Sequence, residues 1–150
     1  MRPSNRSPLT HRFVKETLRL WSPPLLLTRS VRTNICAGGY RLRPGQSYLL
    51  SPHLIHHDAS RWQDAKTFDP DRWLPEAPPG ACPAGCYVPF GFAPRTCIGA
   101  SLGATLLMLT CHLLSTEYRL RVPDPQAVRM SLAAAALPVE FVGTLTRRAG

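Results

Sequence analysis

The sequence predicts an α+β fold, mainly α, in which helices carry several small sheets. Three observations point to it. The run Ile98 to Leu114 is aliphatic and of helical length, and no charged residue falls between Cys97 and Thr116. The stretch Gly38 to Gln46 sets a short alternating strand between two turn signals, the pattern of a hairpin, with Tyr48 to Leu50 as its return strand. Sixteen prolines in 150 residues, about twice the usual share, cluster at Pro75 to Pro83 and near Pro23, Pro123 and Pro138, marking meander and turn positions and no disordered tract. The length is one domain's worth, and 44% hydrophobic content supplies a modest core. No internal repeat or domain boundary is visible, so residues 1–150 are read as one unit.

The elements follow in order. Glu16 and Arg19, three residues apart, share a helix face and can pair; a second arginine, Arg72, would complete a bidentate network on the one carboxylate. Alone, such a pair says little, since most are solvated helix faces. Pro23 to Arg32 reads as a turn followed by an extended apolar strand. Leu74 to Cys86 is a long loop running into the segment Phe90 to Gly99. Beyond the aliphatic helix, Glu117 to Val122 and Val139 to Leu145 read as strands around an alanine-rich span, Leu132 to Leu137, whose state periodicity leaves open.

The segment Phe90-Gly91-Phe92-Ala93-Pro94-Arg95-Thr96-Cys97-Ile98-Gly99 is the most informative. It places Cys97 at the start of the buried aliphatic helix expected from Ile98. There, unpaired backbone N–H groups and the positive end of the helix dipole converge and favour a thiolate. A thiolate so held suits a soft or borderline metal, heme iron above all. An isolated cysteine more often reads as an inert buried thiol. Cys82 and Cys86, with His53, His56 and His57, raise zinc as an alternative, but the spacing fits no strong zinc pattern with only one close pair, and five cysteines, an odd number, argue against a disulfide framework.

Three motifs stand in one order along the chain: Glu16-Thr17-Leu18-Arg19, Phe68-Asp69-Pro70-Asp71-Arg72-Trp73, and Phe90 to Gly99. Together they resemble the E-x-x-R helix, the aromatic-Pro-acid-Arg meander segment and the cysteine loop of cytochrome P-450, the heme-thiolate monooxygenases. His56-His57-Asp58 resembles the family's His-Arg-Asp step with histidine in the middle place. The resemblance covers the chain from about Leu9 onward, but only the C-terminal portion of the family fold. That portion comprises the E-x-x-R helix, small β-sheets, meander, cysteine loop, thiolate helix and C-terminal β-hairpins. It implies that Cys97 is the axial ligand of heme b iron, with Phe90 packed against the cofactor and Gly99 among the residues that bind it. It implies also that Arg29, with Arg32 as substitute, meets one heme propionate and Arg95 the other, and that Glu16, Arg19 and Arg72 brace the loop beneath the heme. The implied reaction inserts one oxygen atom of O2 into a small apolar organic substrate, with electrons from a ferredoxin- or flavodoxin-type partner. Two positions depart from the pattern. Asp71 replaces the usual glutamate, and Ala93 stands where the family has glycine; alanine in a left-handed conformation costs about 1 kcal/mol or more, and Pro94 pushes the residue before it toward extended geometry. No stretch corresponds to the helix that covers the oxygen face. The isolated chain is therefore expected to be a poor oxygenase. The alternatives are a non-catalytic remnant or interaction protein, or one half of a split enzyme whose N-terminal polypeptide is separate.

Eighteen Lys and Arg against nine Asp and Glu give a net charge of +9 and a pI near 10.1. The charges are scattered without an aromatic platform, which ranks an acidic redox partner above nucleic acid. The charge-free run Cys97 to Thr116 approaches the roughly 20 residues of a membrane span, but Gly99, Ser101, Gly103, Thr105, Thr110 and His112 lower its hydrophobicity and favour a core helix. Met1 to Thr10 is polar and lacks the apolar stretch of a signal peptide, which predicts a cytoplasmic chain with reduced cysteines.

Overall fold

The structure, a computed structural model, describes residues 8–78, 80–92, 94–132 and 136–148. Helix α1 (Leu9–Leu20) starts behind Pro8, whose carbonyl accepts the amides of His11 and Arg12 at 3.0 and 3.2 Å. It ends at Trp21, before Ser22 and two prolines that cannot continue a helix. Its buried residues are Val14, Glu16, Leu18, Arg19 and Leu20, so the face turned inward carries both an apolar stripe and the expected ion pair.

Strand β1 (Leu27–Ser30) follows, then β2 (Ile35–Ala37), β3 (Tyr40–Leu42) and β4 (Ser47–Leu50). The expected hairpin is redistributed. Tyr40–Leu42 pairs backward with Ile35–Ala37, and Ser47–Leu50 pairs with β1 in the register Leu27 with Leu50 and Arg29 with Tyr48. The physical reason lies in two turns. Gly38 and Gly39 both have positive φ, +56° and +82°, the two-residue hairpin turn whose twist matches its strands, so β3 is used up on β2. Val31 then exchanges backbone hydrogen bonds with Gln46 and Gly45 at 2.8 and 3.1 Å, which hands the next strand to β1.

Helix α2 (Pro52–His56) is capped by Ser51, whose hydroxyl accepts the Leu54 amide at 3.2 Å. A 3-10 turn, Pro70–Trp73, is capped by Asp69. Helix α3 (Ala100–Glu117) leads into β5 (Tyr118–Arg121); β6 (Arg129–Leu132), β7 (Ala136–Val139) and β8 (Thr144–Arg147) complete the order. β5 pairs with β8 and β6 with β7, all antiparallel. The strand expected at Glu117 to Val122 is therefore present, whereas that expected at Val139 to Leu145 is split between the end of β7 and the start of β8. The alanine-rich span closes β6 and opens β7; residues 133–135 within it, like Ala93, lie outside the described residues.

The core gathers around α1. Trp62, Ala65 and Cys86 form a buried cluster with Ile55, Trp73 and Tyr87 against it. The expectation that the aliphatic run is a buried core helix needs correction: α3 begins at Ala100, two residues later than Ile98, and none of its residues is buried. Leu102, Leu106, Leu109 and Leu113, spaced along one helix face, are each more than half exposed. The helix is apolar round most of its circumference, and among the described residues α1 is the helix that packs on it, so one side is covered and the rest is not. No described helix is long and apolar enough to cross a membrane.

Candidate functional site

The sequence-predicted brace forms, and it is fully buried. Glu16 and Arg19 have no exposed surface and Arg72 has 3%. Arg19 grips the carboxylate with Nε to Oε2 at 3.0 Å and Nη2 to Oε1 at 2.9 Å. Arg72 donates Nε to Oε1 at 2.9 Å. Two donors were not foreseen: the Asp69 amide on Oε1 and the Trp73 indole N–H on Oε2, each at 3.0 Å. The one available signal was that both sit in the same short motif as Arg72.

One carboxylate cannot neutralise two guanidinium groups. Backbone carbonyls supply the balance. Arg19 donates Nη1 to the carbonyls of His56 and Ala65, both at 2.7 Å, and Nη2 to that of Thr67 at 3.1 Å. Arg72 donates to the carbonyls of Gln63, Ala81, Asp64 and Thr67 at 2.9 to 3.4 Å. The loop from Gln63 to Thr67 thus aims its carbonyls inward, and Asp64 at its bend takes φ +47°, a left-handed geometry that aspartate tolerates better than most residues. Burial works against the ionised form of Glu16. The hydrogen bonds from Arg19 and Asp69, the charge of Arg19 and the bond from Arg72 outweigh it and hold the carboxyl below its ordinary value. The Trp62 ring lies 5.3 Å from the guanidinium carbon of Arg19, closing the remaining side.

The cysteine loop follows Val88, whose amide donates to His56 Nε2 at 2.9 Å, while His56 Nδ1 lies 3.0 Å from the Arg19 carbonyl. Gly91 takes φ +77°, and a Cβ there would meet Leu27 Cδ1 at 3.5 Å and the Arg95 carbonyl oxygen at 3.7 Å. Glycine is required at Gly91 by the left-handed backbone alone, since both distances are ordinary van der Waals contacts, a need that its place between two phenylalanines did not signal. The contact also seats β1 against the loop. Arg29 shares the half-buried face of β1 with Leu27, so the strand presents Arg29 on the loop side, while Arg32 falls beyond the strand end. The Cys97 amide donates to the Phe90 carbonyl at 2.9 Å, and the Cys97 carbonyl accepts the Ala100 amide at 3.2 Å. The Phe90 ring lies beside Gly103, its Cε1 3.9 Å from where a Cβ would stand. Cys97 and Arg95 are exposed, and a Cβ on Gly99 would come within 3.8 Å of the Cys97 sulfur, its one contact inside 4 Å. An open thiol, a flanking aromatic, arginines on either side of Gly91 and small residues around the sulfur fit a flat, anionic, thiolate-ligated group.

A buried Glu-Arg-Arg brace behind an exposed cysteine loop and an apolar helix defines the scaffold of a heme-thiolate protein. The family model for cytochrome P450 matches residues 1–140, and the chain belongs to that family. It is 38% identical over 135 residues to cyclooctatin synthase of Streptomyces melanosporofaciens, covering 85% of this chain and 28% of that protein. It is 31% identical over 141 residues to pentalenene oxygenase of Streptomyces avermitilis, covering 93% of this chain and 31% of that protein. The crystal structure of the cytochrome P450DA heme domain superposes with a TM-score of 0.84 at 26% identity, over 95% of this chain and 32% of that one. The chain thus spans about a third of the length of the proteins it matches.

Proposed function

We propose that this chain is the C-terminal heme-binding portion of a cytochrome P450 monooxygenase. The whole enzyme would insert one oxygen atom of O2 into a small apolar organic substrate. The observation that carries the reading is the exposed Cys97, presented by a loop whose backbone is pinned at Phe90 and Gly91 beside a fully satisfied charged brace. When bound, heme b would supply the activation of O2. The chain's own part is to hold and tune: Cys97 ligates the iron as thiolate, Phe90 packs on the ring, and Gly99 leaves room at the sulfur. Arg29 and Arg95 neutralise the two propionates, and Glu16, Arg19 and Arg72 keep the loop in place. The excess of 18 basic over nine acidic residues suits electrostatic steering of an acidic ferredoxin- or flavodoxin-type electron donor. The five free cysteines accord with a cytoplasmic protein.

The exposed leucine stripe of α3 favours a chain that functions as a single partial domain within a larger heme domain. The remaining protein is either joined covalently or supplied as a separate N-terminal polypeptide, and a chain lacking it entirely would be a non-catalytic remnant or an interaction protein. The test is spectroscopic. Heme-loaded protein, reduced under carbon monoxide, should show the strongly red-shifted Soret band of a thiolate heme, and Cys97→Ser should abolish it. Loss of that band on changing Cys36, Cys82, Cys86 or Cys111 in place of Cys97 would overturn the assignment.

A further inference from the structure

We infer that His56 is a positioning residue for the cysteine loop, a buried imidazole that holds the Val88 amide and thereby sets where Phe90 and Cys97 stand. Its link to catalysis rests on the heme-thiolate reading; its geometry does not.

His56 has no exposed surface, and its hydrogen bonds fix its tautomer. The Val88 amide donates to Nε2 at 2.9 Å, so Nε2 carries the lone pair and the proton sits on Nδ1. Nδ1 faces the Arg19 carbonyl at 3.0 Å and the Ser22 hydroxyl at 2.7 Å. That hydroxyl sends its own proton to the Leu18 carbonyl at 3.0 Å, which leaves its oxygen as an acceptor. Every polar atom of the ring is therefore matched in one protonation state. The ring stacks on Tyr87 at 5.7 Å and meets Trp62 edge-on at 6.1 Å, so it cannot turn over without disturbing the core.

The chain of bonds then runs outward. Val88 accepts the Gly91 amide at 3.0 Å, and Phe90 accepts the Cys97 amide at 2.9 Å. One end of His56 thus grips the end of α1 that carries the brace, and the other grips the segment entering the cysteine loop. The surroundings keep it neutral. Burial pushes its pKa down to about 4; the bond to the Arg19 carbonyl works against this, and the charge of Arg19 on α1 and the neighbouring His57 and His53 on its own helix add to it. Tyr87, packed on the other side, is held in its neutral phenol form by burial. Protonation of His56 would set an Nε2–H against the Val88 N–H, donor facing donor.

Asparagine and glutamine separate the two ends, since the asparagine amide approximates Nδ1 and the glutamine amide approximates Nε2. In the 15N-labelled, heme-free full chain, histidine ring NMR should show Nδ1 protonated and Nε2 accepting at pH 7. On acidification, protonation with a midpoint near 4 should be accompanied by loss of Val88 amide protection. His56→Asn should speed exchange of the Val88 and Cys97 amides by about tenfold, the loss of one buried hydrogen bond, while the Gly103 amide inside α3 changes little. His56→Gln should restore Val88 and Cys97 to within about threefold of the parent. A proton on Nε2 at pH 7, or equal Val88 exchange in the two variants, overturns the inference. If neither variant folds, the tautomer and the acid titration of the parent chain decide it, and because no readout involves heme, a failure here is distinct from a failure of the ligand assignment.

Discussion

At the scale of single residues, Glu16 is the most constrained group in the chain. Its two oxygens accept from Arg19, Arg72, Asp69 and Trp73. Removing a partner strands buried charge, so Arg19→Ala should lower stability by about 3 to 5 kcal/mol, read from chemical denaturation. Arg19→Lys should rescue little, since a point charge cannot replace the fork that spans both carboxylate oxygens and three carbonyls. Gly91→Ala should cost about 1 to 2 kcal/mol from its left-handed backbone and loosen the cysteine loop, detected as faster amide exchange at Cys97. Among the groups with depressed pKa values, His56 and Glu16 are the fully buried ones and dominate the response to acid. The neutral form of His56 contributes stability that is complete above the ordinary histidine value of 6.5 and is lost as pH falls from there toward about 4. Glu16 adds a second loss below its ordinary value of 4.5, as pH falls through its lowered folded value. Denaturation midpoints measured from pH 8 to 4 should therefore begin to fall below about 6.5; a midpoint flat from pH 8 to 4 would contradict the buried neutral imidazole.

Among the elements, α1 and α3 invert the roles that their sequences suggest. α1 is short and mixed in composition yet forms the hub, because its ion pair finds a complete shell of carbonyls and N–H groups in the loops from Ile55 to Trp73. α3 is the most apolar element and lies at the surface of the chain. Replacing Leu102, Leu106 and Leu109 by glutamine should leave the chain's stability nearly unchanged, each within about 0.5 kcal/mol as for other exposed sites. The same substitutions should shift sedimentation from self-associated species toward monomer by removing an exposed apolar stripe. A large fall in melting temperature would show that the stripe is packed in solution. The strand assignments carry a related lesson. Turn signals, one short alternating run and apolar stretches located β1, β3, β4 and β5, but the partners were chosen by the glycine pair at Gly38-Gly39 and by Val31 bonding to Gly45 and Gln46.

For the molecule as a whole, the proposed site offers the heme an exposed Cys97 and Arg95 and no element assigned to its opposite face. Heme is a disc with two apolar faces, and each face left in water forgoes about 25 cal/mol per Å². The 150-residue chain alone is therefore expected to retain heme weakly and to give no coupled hydroxylation with ferredoxin, its reductase and a panel of apolar substrates. Restoring the remainder of a heme domain, in the same polypeptide or added to it, should restore both retention and turnover. Product formation by the chain alone, at rates comparable to a complete enzyme, would mean that these residues build an oxygen-side pocket themselves.

The order of three motifs was legible in the sequence, and with it the family and the buried network of Glu16, Arg19 and Arg72; the same motifs carry the proposal of Cys97 as ligand. Each is a local spacing of chemically distinctive residues, and such spacings survive without knowledge of the fold. What only the tertiary structure decided is how those pieces are joined. Trp73 and the Asp69 amide complete the brace, peptide carbonyls balance its second arginine, Gly91 takes the left-handed backbone of the loop's turn, and His56 bridges α1 to Val88. Motif membership places Asp69, Trp73 and His56 near one another in sequence but assigns them no partner, because backbone donors and acceptors are common to every residue and a buried neutral histidine is not marked as such by its neighbours. Their roles come from which groups the fold leaves facing one another in the absence of water, where an unmatched donor or charge is costly and a matched one fixes geometry.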